Sequence, residues 1–356
     1  MIKKKKVVIC WTDISGYMAS CWQAMQNSKE IDQFIIAFQA KTETAFSNNL
    51  LKEVPSYLLD IDERNDFKKI LNLVLEQKPD VIYLPGWFHK PYRKLAFTQQ
   101  LNSVEFIMGM DTPYWGTFRQ KLAPYVLKPY LKRISKVVVS GERSWQYANH
   151  LGFSFSQIYR GQYGINHKDL KTVIESKKEK IWPKQFLFLG RYTKVKAIDS
   201  LVEAYKSYRE MCGDEKPWEL ICCGQGPLKK LIDDQPGIID KGFIQPSEVI
   251  NEMKEAGVMV LPSKFDPWPL VVLESCAAGL PVIATEYCGS TVENVRNLYN
   301  GIVVSGDSAD ELAKAMHAIH NIYYDKLPDW GKRASMMVEG YSAEMWVKKW
   351  EDMLLN

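Results

Sequence analysis

The chain has 356 residues, 46% of them hydrophobic and 25% charged, with a formal net charge of +4. That length exceeds what one core usually supports and points to two domains, and the balance excludes a disordered or fibrous chain. No apolar run is long enough to span a bilayer, because the longest, Pro269 to Thr285, is interrupted by Glu274.

Met1 to Lys6 sets charge ahead of the apolar run Val7 to Cys10, but Asp13 follows too soon for a secretory segment. The start therefore reads as a first strand with a basic edge, and the chain as cytoplasmic. Seven scattered cysteines, with no Cys-x-x-Cys pair, fit buried thiols rather than a disulfide framework. Short apolar runs then alternate with helical patterns, the signature of parallel α/β architecture. Strands are predicted in the first half at Lys6 to Trp11, Ile35 to Phe38, Val81 to Leu84, Val104 to Met108 and Val137 to Ser140. The second half has them at Phe186 to Leu189, Trp218 to Cys223, Val258 to Leu261 and Pro281 to Thr285.

From Val81 to Gly141 the only acids are Glu105 and Asp111, while basic residues such as Lys90, Arg93, Lys94, Arg119, Lys121, Lys128 and Lys132 alternate with Trp87, Phe88, Trp115, Phe118 and Tyr125. Such a surface attracts anionic partners: nucleic acid, an anionic membrane face or a phosphorylated acceptor. A solvated basic face with its aromatics in the core is the plainer alternative. Pro124 and Pro129 break the stretch into short pieces. His167 to Lys184 is charged, poor in apolar periodicity and closed by Trp182-Pro183, and the domain boundary is placed there. The division is 1–170, 171–340 and a last helix, 341–356, which follows an N-cap candidate at Ser342 and spaces Met345, Trp346, Trp350, Met353 and Leu354 as one apolar stripe. His317 and His320 stand one helical turn apart without a carboxylate or thiol beside them, which suits a surface helix rather than a metal site.

The chemistry concentrates in Leu261 to Thr285, read as strand, loop, helix, turn and strand. Pro269 suits the first turn of the helix, Gly279 its C-terminal cap and Pro281 the exit. The free amides near Leu270, Val271 and Val272, at the positive end of the helix dipole, form an anion site suited to a diphosphate. Glu274, one turn further in, can accept hydrogen bonds from the two hydroxyls of a ribose. Asp266 stands in the preceding loop, within reach of a sugar beyond the phosphates. After the strand Phe186 to Leu189, Gly190 makes a turn. Arg191 and Lys196 then offer a guanidinium fork and a point charge to a diphosphate leaving group. Gly224 and Gly226, in a Gly-x-Gly-Pro turn, let backbone approach a ligand closely.

Gly-Arg-x4-Lys, Gly-x-Gly-Pro, Gly242-Phe243, the acid pair Asp266-x7-Glu274, Cys288-Gly289 with Glu293, and Asn300-Gly301 follow one another in the order of glycosyltransferase family 4, which the C-terminal half resembles from Phe186 to Ile319. The resemblance implies an α/β chain of the GT-B type. Two Rossmann-like, doubly wound domains would face a cleft, with the last helix crossing back to the first domain. It implies a retaining glycosyltransferase that uses no metal or other cofactor and takes a nucleotide-diphosphate sugar, UDP-linked in preference to GDP-linked, as donor. With such a transferase, the basic, aromatic stretch Pro113 to Lys136 suits a glycan, lipid-linked or anionic acceptor in cell-surface polysaccharide or lipopolysaccharide assembly, with peripheral contact at the inner membrane face and no nucleic-acid partner. The resemblance assigns Arg191 and Lys196 to the diphosphate, Glu274 to the ribose, Asp266 to the transferred sugar, and Phe243 and Ile244 to the base. It makes Trp346 and Trp350 interdomain anchors, where the bland alternative puts them in the core of the second domain.

This chain departs from the family in four places. It has Asp266 where the usual residue is Glu, Ala197 where glycine generally follows the lysine, only Gly16 after the first strand, and Asp111 where a histidine is common. Asp111 is the candidate to accept the proton of the attacking hydroxyl, against a structural role in the turn before Pro113. A nicotinamide oxidoreductase is disfavoured because Lys229 replaces the third glycine after Gly224 and Gly226. A sugar-nucleotide epimerase would share the fold, and a non-catalytic nucleotide-sugar binder would also keep Asp266, Glu274, Arg191 and Lys196.

Overall fold

The computed structural model of the chain describes residues 4–39, 48–177, 181–306 and 308–355. The first three residues of the basic amino-terminal run and residues 178–180 of the charged boundary stretch lie outside the described residues. The chain divides into two units, one of Met1–Ile165 with Ala343–Asn356 and one of Asn166–Ser342.

Among the described residues the first unit is built on seven parallel strands: β1 (Lys5–Asp13), β2 (Ile31–Phe38), β3 (Ser56–Leu59), β4 (Val81–Leu84), β5 (Glu105–Met110), β6 (Lys136–Val139) and β7 (Ile158–Arg160). Their order is β3-β2-β1-β4-β5-β6-β7, the doubly wound arrangement with β1 and β4 at the reversal point. In β1, Val8 and Cys10 face one core together with Ile36, Ile82 and Met108. Val7, Ile9 and Trp11 face the other, together with Ile35, Tyr83 and Ile107. Both faces are covered, so the inner strands read as unbroken apolar runs.

The final helix, Ala343–Leu355, completes the second of those cores, with Trp346, Trp350, Met353 and Leu354 buried near the helix Gly16–Met25. Trp350 packs on Tyr83 with ring centroids 5.3 Å apart. Lys5 Nζ donates to the carbonyl of Leu354, and Lys136 Nζ to that of Met353, each at 2.7 Å. Two lysines at strand starts thus serve the orphan carbonyls and the negative end of this helix. The two tryptophans belong to the core of the first unit, which removes the alternative that placed them in the second.

The second unit carries, among the described residues, six parallel strands: β8 (Gln185–Leu189), β9 (Glu219–Cys223), β10 (Ile238–Gly242), β11 (Val258–Leu261), β12 (Val282–Thr285) and β13 (Gly301–Val304), in the order β10-β9-β8-β11-β12-β13. The charged stretch after His167 is a helix, His167–Lys177, with Leu170 and Val173 buried. Its last residue, Lys177, is buried as well. Its ammonium donates to the carbonyls of Met253, at 2.9 Å, and Ala256, at the end of the helix Pro246–Glu255. A lysine spent on a buried helix end looks like surface charge in the sequence, which is why this segment reads there as a linker.

All seven cysteines are buried and unpaired. His317 and His320 share the helix Ala309–Asn321, and His320 is half-buried, its Nδ1 2.9 Å from the Tyr208 hydroxyl, rather than on an open surface. Among the described residues, no helix is long and apolar enough to cross a membrane.

Candidate active site

Because every strand of the second unit runs the same way, the segments carrying Arg191, Lys196, Gly224, Gly226, Phe243, Ile244, Asp266 and Leu270 all leave the sheet at its carboxyl edge. Backbone bonds lace these segments together. Gly190 N donates to Cys223 O at 3.0 Å, Tyr192 N to Gln225 O at 2.9 Å, and Gly224 N to Gly242 O at 2.8 Å. On the other side Lys264 N donates to Val195 O at 2.9 Å, tying the loop after β11 to the loop after β8.

That lacing brings Lys196 and Asp266 together. The Lys196 ammonium forms a close ion pair with Asp266 Oδ2, both side chains largely but not wholly buried. Asp266 Oδ1 accepts from the amide of Trp268 at 3.2 Å, and its backbone carbonyl accepts from Gly289 N at 3.0 Å. The aspartate is thereby fixed between the loops after β11 and β12, one methylene shorter than a glutamate and already in contact with its cation. Arg191 is exposed, and among the described residues its guanidinium has no partner. The site thus offers one cation already held by an acid and one that is free.

Gly224 and Gly226 make their close approach to the neighbouring loop. A Cβ at Gly224 would lie 1.9 Å from Gly190 O, and one at Gly226, where φ is +157°, would lie 2.5 Å from Tyr192 O. These glycines are required by the packing of two backbones, which holds the turn after Gly190 in place. Phe243 and Ile244 are half-buried just beyond β10. Ala197 sits in the left-handed region, φ +54° and ψ +41°, immediately before the helix Ile198–Met211. That backbone is the physical reason a glycine suits the position after the lysine, and here an alanine adopts it under strain.

The helix Leu270–Ala277 begins after Pro269, and no side chain caps it. Val272 N reaches back to Pro269 O at 3.2 Å, while the amides of Leu270 and Val271 stand in the first turn with no partner further back in the helix. Gly279, at φ +71°, closes the other end, where Leu280 N donates to Ser275 O at 2.8 Å. Glu274 is half-buried, and its carboxylate makes no hydrogen bond or ion pair among the described residues. Burial pushes its carboxyl up to about 7.

In the first unit, Gly16 opens the helix after β1, and Asp111 directly follows β5. Tyr163 engages Asp111: its hydroxyl donates to Asp111 Oδ2 at 2.9 Å. The Tyr163 ring stands edge-on to Trp11 and Tyr17, with centroids 6.2 and 5.8 Å away, so Gly16 and Asp111 border one aromatic cluster. Burial, and next the carboxylate, raise the Tyr163 phenol well above its usual value, so it stays a donor. Beside it Tyr83 donates to Gln162 at 2.7 Å, and Gly109 leaves the room, since a Cβ there would lie 1.6 Å from the Tyr83 hydroxyl. Sequence reasoning missed Tyr163. It lies just past β7, a three-residue edge strand, and only the signature of that strand could have placed it beside Asp111.

The family model of glycosyl transferases group 1 matches residues 171–336. Over 205 residues, 56% of this chain, the sequence is 27% identical to an uncharacterized glycosyltransferase of Methanocaldococcus jannaschii, of which 46% is covered. Over 219 residues, 58% of this chain, it is 24% identical to the 2-deoxystreptamine N-acetyl-D-glucosaminyltransferase of Niallia circulans, of which 56% is covered. The chain therefore spans about half the length of these curated relatives. The solved structure of Anabaena HepE in complex with UDP and glucose matches with a TM-score of 0.72 at 14% identity, over 98% of this chain and 99% of that one. The likeness is one of fold: two Rossmann-like parallel sheets of the GT-B type.

Proposed function

Residues 171–336 belong to the glycosyl transferases group 1, and from that premise we propose that this chain is a retaining, metal-independent glycosyltransferase that takes its sugar from a nucleotide-diphosphate donor. The observation that carries the reading is the Lys196–Asp266 pair at the carboxyl edge of the second sheet, beside the start of the helix Leu270–Ala277. The second unit, Asn166–Ser342, holds the donor, and the first, Met1–Ile165 with Ala343–Asn356, receives the acceptor. UDP and glucose in the HepE structure favour a UDP-sugar, with a GDP-sugar as the alternative.

In this reading Arg191, Lys196 and the amides of Leu270 and Val271 hold the diphosphate, Glu274 the ribose, and Phe243 and Ile244 the base. Asp266 receives the transferred sugar and, through its ion pair, fixes the Lys196 ammonium. As the bond from the anomeric carbon to phosphate breaks, its electron pair leaves with the nucleoside diphosphate, and the two cations and the helix end stabilise the growing charge. The acceptor hydroxyl forms the new glycosidic bond on the same face of the sugar. Its proton passes to Asp111, which the Tyr163 hydroxyl orients. Arg191 and Lys196 supply the positive charge that a divalent ion would otherwise bring, so transfer is expected to proceed without metal. The basic, aromatic stretch of the first unit suits an acceptor carried on a lipid or glycan at an anionic membrane face, as in cell-surface polysaccharide assembly.

The test is release of nucleoside diphosphate from a panel of nucleotide sugars, with and without candidate acceptors and with a chelator present. Acceptor-dependent release that survives chelation is the expected result. Binding of a nucleotide sugar without release for any acceptor would make the chain a binder, and isomerised donor would make it an epimerase. Activity lost in chelator and restored by magnesium or manganese would overturn the metal-independent part.

A further inference from the structure

The helix Phe118–Val126 is turned the opposite way from most surface helices. Its inward residues are Gln120 and Ala123, and the Gln120 amide is occupied locally, donating to Pro113 O at 2.7 Å and accepting from Trp115 N at 2.8 Å. Its apolar residues face solvent: Phe118, Leu122, Tyr125 and Val126 are 75%, 42%, 75% and 73% exposed. Their spacing, i, i+4, i+7 and i+8, puts them on one face. Arg119 and Lys121, both exposed, border that stripe on either side.

The charge around the stripe is uncompensated by the acids of the same segment. Glu105 accepts from Ser135 Oγ at 2.8 Å and pairs with Lys136 at 3.5 Å, while Asp111 is engaged by Tyr163. Among the described residues the side chains of Arg119, Lys121 and Lys128 make no hydrogen bond or ion pair with either acid. A second copy of this chain, docked by twofold symmetry, would set these cations against their equivalents. An anionic lipid surface meets both features, because an outward apolar stripe bordered by cations is the geometry of a helix lying in the headgroup region.

We propose that this face of the first unit docks on anionic lipid, with Phe118, Leu122, Tyr125 and Val126 entering the boundary between headgroups and acyl chains. The inference deepens the reading of a membrane-held acceptor and names the contact. Its test needs neither donor nor acceptor, so it stands or falls apart from the transfer chemistry.

The experiment is cosedimentation of the full chain with vesicles of phosphatidylcholine alone and of phosphatidylcholine with phosphatidylglycerol. The wild type is expected to bind the anionic vesicles about tenfold or more tightly, weakening with salt. The double variant Phe118→Ser, Tyr125→Ser, at two exposed positions, is expected to lose about tenfold of that binding while its melting temperature stays unchanged. Anionic binding retained in full by the variant would assign the contact to charge alone and overturn insertion. Binding to neither vesicle, or concentration-dependent dimerisation that the double variant abolishes, would make the stripe something other than a lipid contact.

Discussion

The carboxyl edges of the two sheets are made of different materials. In the second unit the edge is laced backbone to backbone, with Gly224 N on Gly242 O and Tyr192 N on Gln225 O, and it displays charge as the Lys196–Asp266 pair and as the Arg191 guanidinium and Glu274 carboxylate, both without a partner among the described residues. In the first unit the edge is a cluster of rings, Trp11, Tyr17 and Tyr163, beside a carboxylate, Asp111, that accepts from the Tyr163 hydroxyl. A diphosphate needs cations and amides at fixed positions, so that edge leaves short, spaced signatures. A ring cluster recognises by shape, and many sequences can build one. If the contrast is functional, substitutions at the charged edge should act on the leaving group, and substitutions at the aromatic edge on the acceptor step.

The largest effect is expected at Lys196. Lys196→Ala should reduce turnover by about a hundredfold or more, because the developing charge loses a preorganised cation. The melting temperature should move little, since the loops remain joined by Lys264 N to Val195 O and Asp266 keeps the Trp268 amide. Asp266→Asn tests whether the two act as a unit: a double variant no worse than the worse single one marks shared function. Additive losses would separate their roles, and near-normal turnover in Lys196→Ala would remove the lysine from the chemistry.

At the aromatic edge, Asp111→Asn should lower turnover by about a hundredfold while donor affinity stays within a few fold. Tyr163→Phe keeps the ring between Trp11 and Tyr17 and deletes only the hydroxyl, so a loss of about tenfold in turnover is expected. The two variants should share one altered pH profile, which a packing defect would not produce. Normal turnover with a lowered melting temperature in Asp111→Asn would instead make this acid part of the fold, and the comparison would then set a site against a core.

Legibility follows the same contrast. The nine strands anticipated from apolar runs lie inside the two sheets, where both faces are covered. The four not anticipated, β3, β7, β10 and β13, are the four edges. Edge strands are wetted on one side, so Ile238–Gly242 alternates half-buried and exposed residues and offers no run to read. The charged site was readable because Arg191, Lys196, Asp266 and Glu274 each sit at a fixed distance from a strand end or a helix start. The Gly-x-Gly turn was found, but its physical purpose was not, because contact with Gly190 and Tyr192 depends on how two loops pack. Tyr163 stayed hidden behind an edge strand, and Lys177 behind the appearance of surface charge.

The smallest and most specific expectation concerns the protonation of Glu274. Burial raises its carboxyl from the ordinary 4.5 to about 7, and no partner among the described residues draws it back. Two hydroxyls donated by a ribose would favour the ionised form, so the bound donor should lower that value. Donor affinity should therefore be level above about pH 7 and weaken on acidification, by at most about tenfold per pH unit, until the pKa of the bound state is reached. The free protein should respond in the opposite sense. A carboxyl raised on folding contributes stability that is fully present below its unfolded value of 4.5 and is lost as pH rises through about 7. Glu274→Gln keeps the shape and removes the titration. Its donor affinity should be a few fold weaker at about pH 8 and flat toward lower pH, and its stability should lose that part of its pH dependence. Calorimetric donor titrations and melting curves across that range, on both proteins, provide the check. An unaltered slope of affinity with pH in the glutamine variant would take Glu274 out of the donor site, and with it the strongest link between the helix Leu270–Ala277 and a nucleotide.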